Sequence, residues 1–268
     1  LIATVGVGAV TARSTIFGGA NGTGDVPYQF AATVGHVTPA PPGASLSALV
    51  QSVVSRYGGR LLVSAKVTDP PTSDHPAGPW LSVVAHVPDG YATQSQGWQP
   101  AFLEAGWQAD LVAGAISDAA AEHGLGKVAG ATISGLLSDG STVPSIGGGI
   151  GAVTTGQSFS ADSDEQISAA LKEVLTAADL VPLSVNVLHA DQPAPAVIAQ
   201  TADPAKAAAN AESTINSLFG GHPPKYEGYY LEVRDTTGAP VFVVSYAYRA
   251  GSGRRWVDPK FQDSLSHF

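Results

Sequence analysis

The sequence predicts an α+β protein in which antiparallel sheets carry helices packed on one face. Three observations lead there. Helical apolar stripes alternate with pairs of strand-like runs. Short turn-rich connections join the runs of each pair. The order helix, strand, strand, helix, strand, strand is written twice along the 268 residues. A doubly wound parallel sheet would need single strands between helices, and the strands here come in twos.

Each element has a local cause. Ser45 is a candidate N-cap, and Leu46, Leu49, Val50, Val53, Val54 and Tyr57 then form one apolar stripe that Gly58-Gly59 ends. Two strands follow, Arg60 to Thr68 and Trp80 to Val87, across the turn-rich loop DPPTSDHPAGP. A second helix runs from Phe102 or Gln108 to His123, stopped by Gly124. Ala129 to Leu137 is a strand, with a hairpin turn at Ser138-Asp139-Gly140-Ser141. Ser163 with Gln166 reads as a capping box ahead of the stripe Ile167, Leu171, Val174, Leu175. Strands are expected over Val181 to His189 and Ala194 to Gln200. A fourth helix opens with Asp203 as N-cap and Pro204 at its first position, and ends at Gly220-Gly221. The last hairpin joins Tyr229 to Arg234 with Val241 to Arg249.

The repeated order predicts an internal duplication. Leu46, Val50, Val53 and Val54 align with Ile167, Leu171, Val174 and Leu175, while Lys127, Gly130, Ile133, Gly140 and Val143 align with Lys225, Gly228, Leu231, Gly238 and Val241. The expected organisation is therefore an apolar N-terminal segment and extended arm over 1–44, a first αββαββ repeat over 45–150, a Gly/Ser-rich linker over 151–163, and a second repeat over 164–268.

Composition excludes several classes of function. With 13 Lys and Arg against 22 Asp and Glu, the net charge of −9 argues against a nucleic-acid binder, which needs a basic face. The basic cluster Arg249, Arg254, Arg255 and Lys260 reads as a solvated strand end, with a local anion site as the sharper alternative. Zero cysteines exclude disulfides, thiolate metal sites and a Cys nucleophile. Zero methionines suggest a processed chain, and the uncharged stretch Leu1 to Ala12 suggests the remnant of a signal peptide or membrane anchor. Low charge, abundant small residues and missing Met and Cys give a composition similar to that of exported proteins from high-GC actinobacteria.

Catalytic motifs do not emerge. Gly6-Val7-Gly8 and the run Gly147 to Gly151 lack the following helix that a dinucleotide site requires, and the second run reads as a linker. His189 with Asp191, and His86 with Asp89, offer two ligands each where a zinc site needs more. Ser134 and Ser145 lack a nucleophile elbow. No cofactor and no metal is expected. The aromatic residues Trp98, Trp107, Tyr246, Tyr248 and Trp256 stand out as a candidate binding surface, with core packing as the plainer role.

The functional expectation is a non-catalytic extracytoplasmic protein, secreted or membrane-anchored through its N-terminal segment, that binds a protein or cell-envelope partner. Two alternatives differ in kind. One is a hydrolase of cell-wall or exogenous polymers, with its site near His86, His189 and the DPPTSDHPAGP loop. The other is a structural subunit using residues 1–44 as an arm.

Overall fold

The computed structural model describes residues 45–57, 63–87, 100–150, 158–189, 192–220 and 224–264. The expected N-terminal segment, the arm and Trp98 lie outside the described residues.

Helix α1 (Leu46–Arg56) starts where its cap dictates: the Ser45 hydroxyl accepts from the Ala48 N–H at 3.3 Å. Strand β1 (Val63–Thr68) pairs antiparallel with β2 (Trp80–His86). Helix α2 (Pro100–Glu122) then crosses over, and β3 (Gly130–Leu136) lies parallel to β2 before turning back into the short β4 (Thr142–Pro144). The second half repeats the scheme. Helix α3 (Asp164–Ala177) carries the full capping box of Ser163 and Gln166. Strands β5 (Val181–His189) and β6 (Pro193–Gln200) pair antiparallel. Helices α4 (Pro204–Ala209) and α5 (Ala211–Phe219) lead to β7 (Gly228–Arg234), parallel to β6. Strands β8 (Pro240–Ala247) and β9 (Ser252–Val257) finish the sheet antiparallel, followed by a 3-10 turn over Pro259–Ser264.

The α+β class holds, and both sheets are mixed, with orders β1-β2-β3-β4 and β5-β6-β7-β8-β9. The expectation of purely antiparallel sheets misses the two central parallel pairs. A helix separates the strands of each such pair, and a helical crossover returns the chain in the same direction. Two other departures are local. The expected fourth helix breaks at Asn210 into α4, which packs on β8, and α5, which packs on α3. Strand β9 lies beyond the expected last hairpin, which ends at Arg249, and Arg254 and Arg255 read in sequence as part of a solvated strand end rather than a paired strand.

The two halves share more than element order. At the ends of each parallel pair, Ala129 N–H bonds Pro79 O at 2.8 Å and Val87 N–H bonds Leu136 O at 2.9 Å. In the second half, Glu227 N–H bonds Pro193 O at 2.9 Å and Thr201 N–H bonds Arg234 O at 2.8 Å. The hairpin turns match too: Gly140 N–H to Leu137 O and Gly238 N–H to Asp235 O both span 3.0 Å, with glycine φ values of +83° and +88°.

Packing stacks four layers. The first sheet turns Val63, Ala65, Leu81, Val83 and Ile133 towards α1 and α2, while Ser64, Lys66 and Thr132 on its other face are exposed. Helix α2 packs at the same time on β7, β8 and β9 of the second sheet, so one core joins the halves. A second core lies on the far face of that sheet, where Ile167, Leu171, Leu175, Leu218 and Phe219 cover Val197, Leu231, Val233 and Phe242. With both faces covered, β6 to β8 are almost wholly buried, as their apolar runs require.

Candidate functional site

Two groups of residues stand apart from ordinary core. The first is the buried seam between α2 and the second sheet. From Leu103 to Ala120 every α2 residue is buried except the half-buried Asp118, which follows from a helix that is apolar on nearly all sides. Yet this helix carries Glu104, Gln108, Asp110 and Asp118, and burying a charge is costly unless partners compensate.

The partners come from the second sheet, from the Gly148-Gly149 loop and, for Glu104, from α2 itself. The Glu232 carboxylate accepts from Arg234 Nε at 2.7 Å and from the Tyr230 hydroxyl at 2.9 Å, and Gln108 Nε2 donates to Glu104 Oε1 at 3.0 Å. Burial pushes the Glu104 carboxyl well above the usual carboxylate range. The nearby Glu232 charge adds to the rise, against the pull of Arg234 and Gln108. Asp110 accepts from the Gly148 N–H at 2.9 Å, the Gly149 N–H at 3.2 Å, the Ser252 hydroxyl at 2.6 Å and Arg254 at 3.1 Å. Burial still raises its carboxyl pKa, outweighing those partners. Further along, Arg249 Nε lies 3.0 Å from Asp118, and its Nη1 lies 3.6 Å from the buried Glu227.

This geometry corrects two expectations. Arg249 and Arg254 do not form a solvated cluster or an anion site, because each is drawn inward by an acid on α2. The Gly147 to Gly149 stretch is not a loose linker. A Cβ at Gly147 would lie 2.4 Å from the Ile133 side chain, and one at Gly148 would lie 2.5 Å from Ser252 Oγ. Gly148 and Gly149 present their N–H groups to a carboxylate, as an anion-binding loop does, and the chain's own Asp110 fills the place.

The second group is a row of aromatic rings across the far face of the second sheet. Tyr229 on β7 faces Tyr246 on β8 in register, and Tyr246 faces Gly253 on β9. The Tyr229 ring stacks on Phe219 with centroids 4.1 Å apart, and Tyr246 stacks on Tyr229 at 5.8 Å. Beyond the end of β8, Tyr248 meets Phe159 edge-on at 5.4 Å. All three tyrosines are half-buried. Burial, reinforced by Tyr246, raises the Tyr229 phenol to about 12, so its hydroxyl is a neutral hydrogen-bonding group at ordinary pH.

Of the aromatic residues singled out in the sequence, Tyr246 and Tyr248 therefore lie in this row. Trp107 does not belong to a surface: it is 1% exposed, donates its indole N–H to Tyr246 O at 2.9 Å, and packs against Tyr230. Trp256 is half-buried against the α2 core. The two histidines proposed for a hydrolase lie apart in the fold. His86 ends β2 on the first sheet, exposed, while His189 ends β5 and bonds Asp164 at the start of α3. Asp89 and Asp191 lie outside the described residues. Among the described residues no group of three His, Asp or Glu side chains is placed to hold a metal ion, and no helix is long and apolar enough to cross a membrane.

Glu104, Asp110, Glu227, Glu232 and Arg234 were not singled out from sequence. The available signal was the 4-residue spacing of Gly106, Asp110, Gly114 and Asp118, which puts two acids and two gaps on one side of α2.

Fold and site together define an α+β protein of two mixed sheets with a polar-seamed helix buried between them. No family model matches the chain, and no curated protein matches it. Two solved structures are similar to it in part. One is the C-terminal domain of the sex pheromone staph-cAM373 precursor from Staphylococcus aureus, with a TM-score of 0.26 and 12% identity over 67% of this chain and 64% of that one. The other is a sex pheromone precursor from Lactobacillus salivarius subsp. salivarius, with a TM-score of 0.23 and 10% identity over 73% of this chain and 67% of that one. The chain thus spans 64% of the length of the first. Likeness at these TM-scores carries no argument about function.

Proposed function

We propose that the chain is a non-catalytic extracytoplasmic protein, secreted or membrane-tethered, that holds a protein or cell-envelope partner on the tyrosine row of its second sheet. The observation that carries this reading is the row itself: Tyr229, Tyr246 and Tyr248 are half-buried, and the Tyr229 and Tyr246 rings stack. The exposed Gly253 borders it on the edge strand, with the exposed Arg255 two residues on. Aromatic rings with polar tips give contact area and hydrogen bonds at little cost in conformational freedom, which suits a binding surface. Composition and the apolar Leu1 to Ala12 stretch support the location. We also propose a tandem duplication as the source of the matched hydrogen bonds in the two halves.

One observation favours the hydrolase alternative, the strongly perturbed Glu104 beside Glu232. Those carboxylates are only 5% and 2% exposed, however, and a polymer substrate has to reach its acid and base. That burial speaks for the binding reading.

The test is site-specific photo-crosslinking on intact producing cells, with the crosslinker placed at Tyr248, beside fractionation of medium, envelope and cytoplasm. The expected result is one discrete adduct in the envelope or medium fraction, reduced about tenfold by Tyr246→Ala, the equivalent of losing ~1.4 kcal/mol of binding. An adduct unaffected by Tyr246→Ala, or a wholly cytoplasmic protein, would refute the proposal.

A further inference from the structure

We propose that the seam between α2 and the second sheet is a proton-locked interface, closed while Glu104 is protonated and loosened when it ionises. The argument begins with counting. Glu104 is 5% exposed and takes one hydrogen bond, from the neutral Gln108 amide of its own helix, while the Arg234 guanidinium pairs with Glu232 on β7, a strand on which α2 packs. Glu232 already binds Arg234 Nε and the Tyr230 hydroxyl with its two oxygens. A negative charge at Glu104 would be buried with only an amide donor to hold it, which is costly, and the Glu232 charge would oppose it further. A neutral carboxyl removes the conflict and keeps the hydrogen bond from Gln108.

The surrounding elements do not change the balance. On β9, Arg254 is held by Asp110, nearly two turns further along α2. On β8 the residues facing the seam are Val243, Ser245 and Ala247, while Tyr246 lies on the opposite face. Arg249 serves Asp118 and Glu227 towards the other end of α2. From the first sheet, Lys66 and His86 are exposed on the side away from α2, and Arg56 of α1 is exposed. Tyr57 donates to Leu111 O.

The sign follows. A carboxyl raised in the native state binds its proton more tightly there than in the open state. Its contribution is complete below the ordinary carboxylate value and declines as pH rises towards the native value. In that window Glu104 releases one proton per opening, a fall of about tenfold per pH unit in the closed-to-open ratio, and the share from Asp110, whose carboxyl burial also raises, persists in Glu104→Gln. The seam also backs the tyrosine row, through the bond from Trp107 to Tyr246 O. Loosening it removes that support from β8.

The experiment is amide hydrogen exchange on the whole chain from pH 5 to 9, as protection factors, for the wild type and Glu104→Gln. The wild type should lose α2 protection by up to about tenfold per pH unit, with α3, on the far side of the sheet, losing less. In Glu104→Gln the decline in α2 should be reduced, since the neutral isostere keeps the seam closed. Wild-type protection that is flat with pH, an equal decline in the variant, or a parallel loss in α3 would overturn the proposal. So would failure of Glu104→Gln to fold, because its neutral side chain is the form the seam is inferred to require.

Discussion

Asp203 shows how much one side chain decides locally. Its carboxylate accepts from the Lys206 N–H at 3.0 Å, and Pro204 occupies the first helical position, where no N–H is needed. Asp203→Ala should cost about 1 kcal/mol, the usual loss for an N-cap, read as a lower midpoint in denaturant. An unchanged midpoint would mean the cap contributes nothing. Asp110 illustrates the opposite case, since all its partners come from distant parts of the chain. Arg254 is 144 residues away in sequence. No local pattern around Gln108-Ala109-Asp110-Leu111 announces that pairing.

At the scale of the element, α2 sets the terms. It is close-packed on both sides, and Gly106 is where the chain approaches most tightly. A Cβ there would lie 2.1 Å from Ile146 O and 2.7 Å from Arg254 Nη1. Helix propensity alone favours alanine over glycine by about 1 kcal/mol. Overpacking a tight contact costs about 1–3 kcal/mol, and a backbone carbonyl cannot swing aside as a flexible side chain does. Gly106→Ala is therefore expected to lower the thermal midpoint despite the better helix former. A rise would show that residues 145–147 give way freely. The second sheet follows the same logic in its tyrosine row, where Gly253 leaves room for Tyr246: a Cβ would lie 3.0 Å from that ring.

For the whole molecule, the consequence of α2 is shared stability. The core that contains Leu81 and Ile133 of the first sheet also contains Leu188, Ala196, Tyr230 and Val243 of the second. Neither sheet buries its inner face without the helix between them. One cooperative unfolding transition is expected, with the indole signal of Trp107 and far-ultraviolet circular dichroism changing together. Two separated transitions would show that the halves are independently stable.

The sequence by itself determined the α+β class, the helix starts at Ser45, Ser163 and Asp203, the turn glycines at 140 and 238, and most strand positions. These depend on neighbours within a few residues, through caps, apolar periodicity and turn chemistry, so they are legible one segment at a time. Only the tertiary structure decided that β2–β3 and β6–β7 run parallel, that Ser252–Val257 forms an edge strand, and that α2 lies between two sheets. It also decided the fate of the candidate residues. Trp107 went to the core and Tyr246 to a half-buried row, while Arg249 and Arg254 turned inward to acids on α2. The physical reason is the same in each case. A charge or ring at a strand end is compatible with solvent or with burial, and what selects burial is a partner far away in sequence.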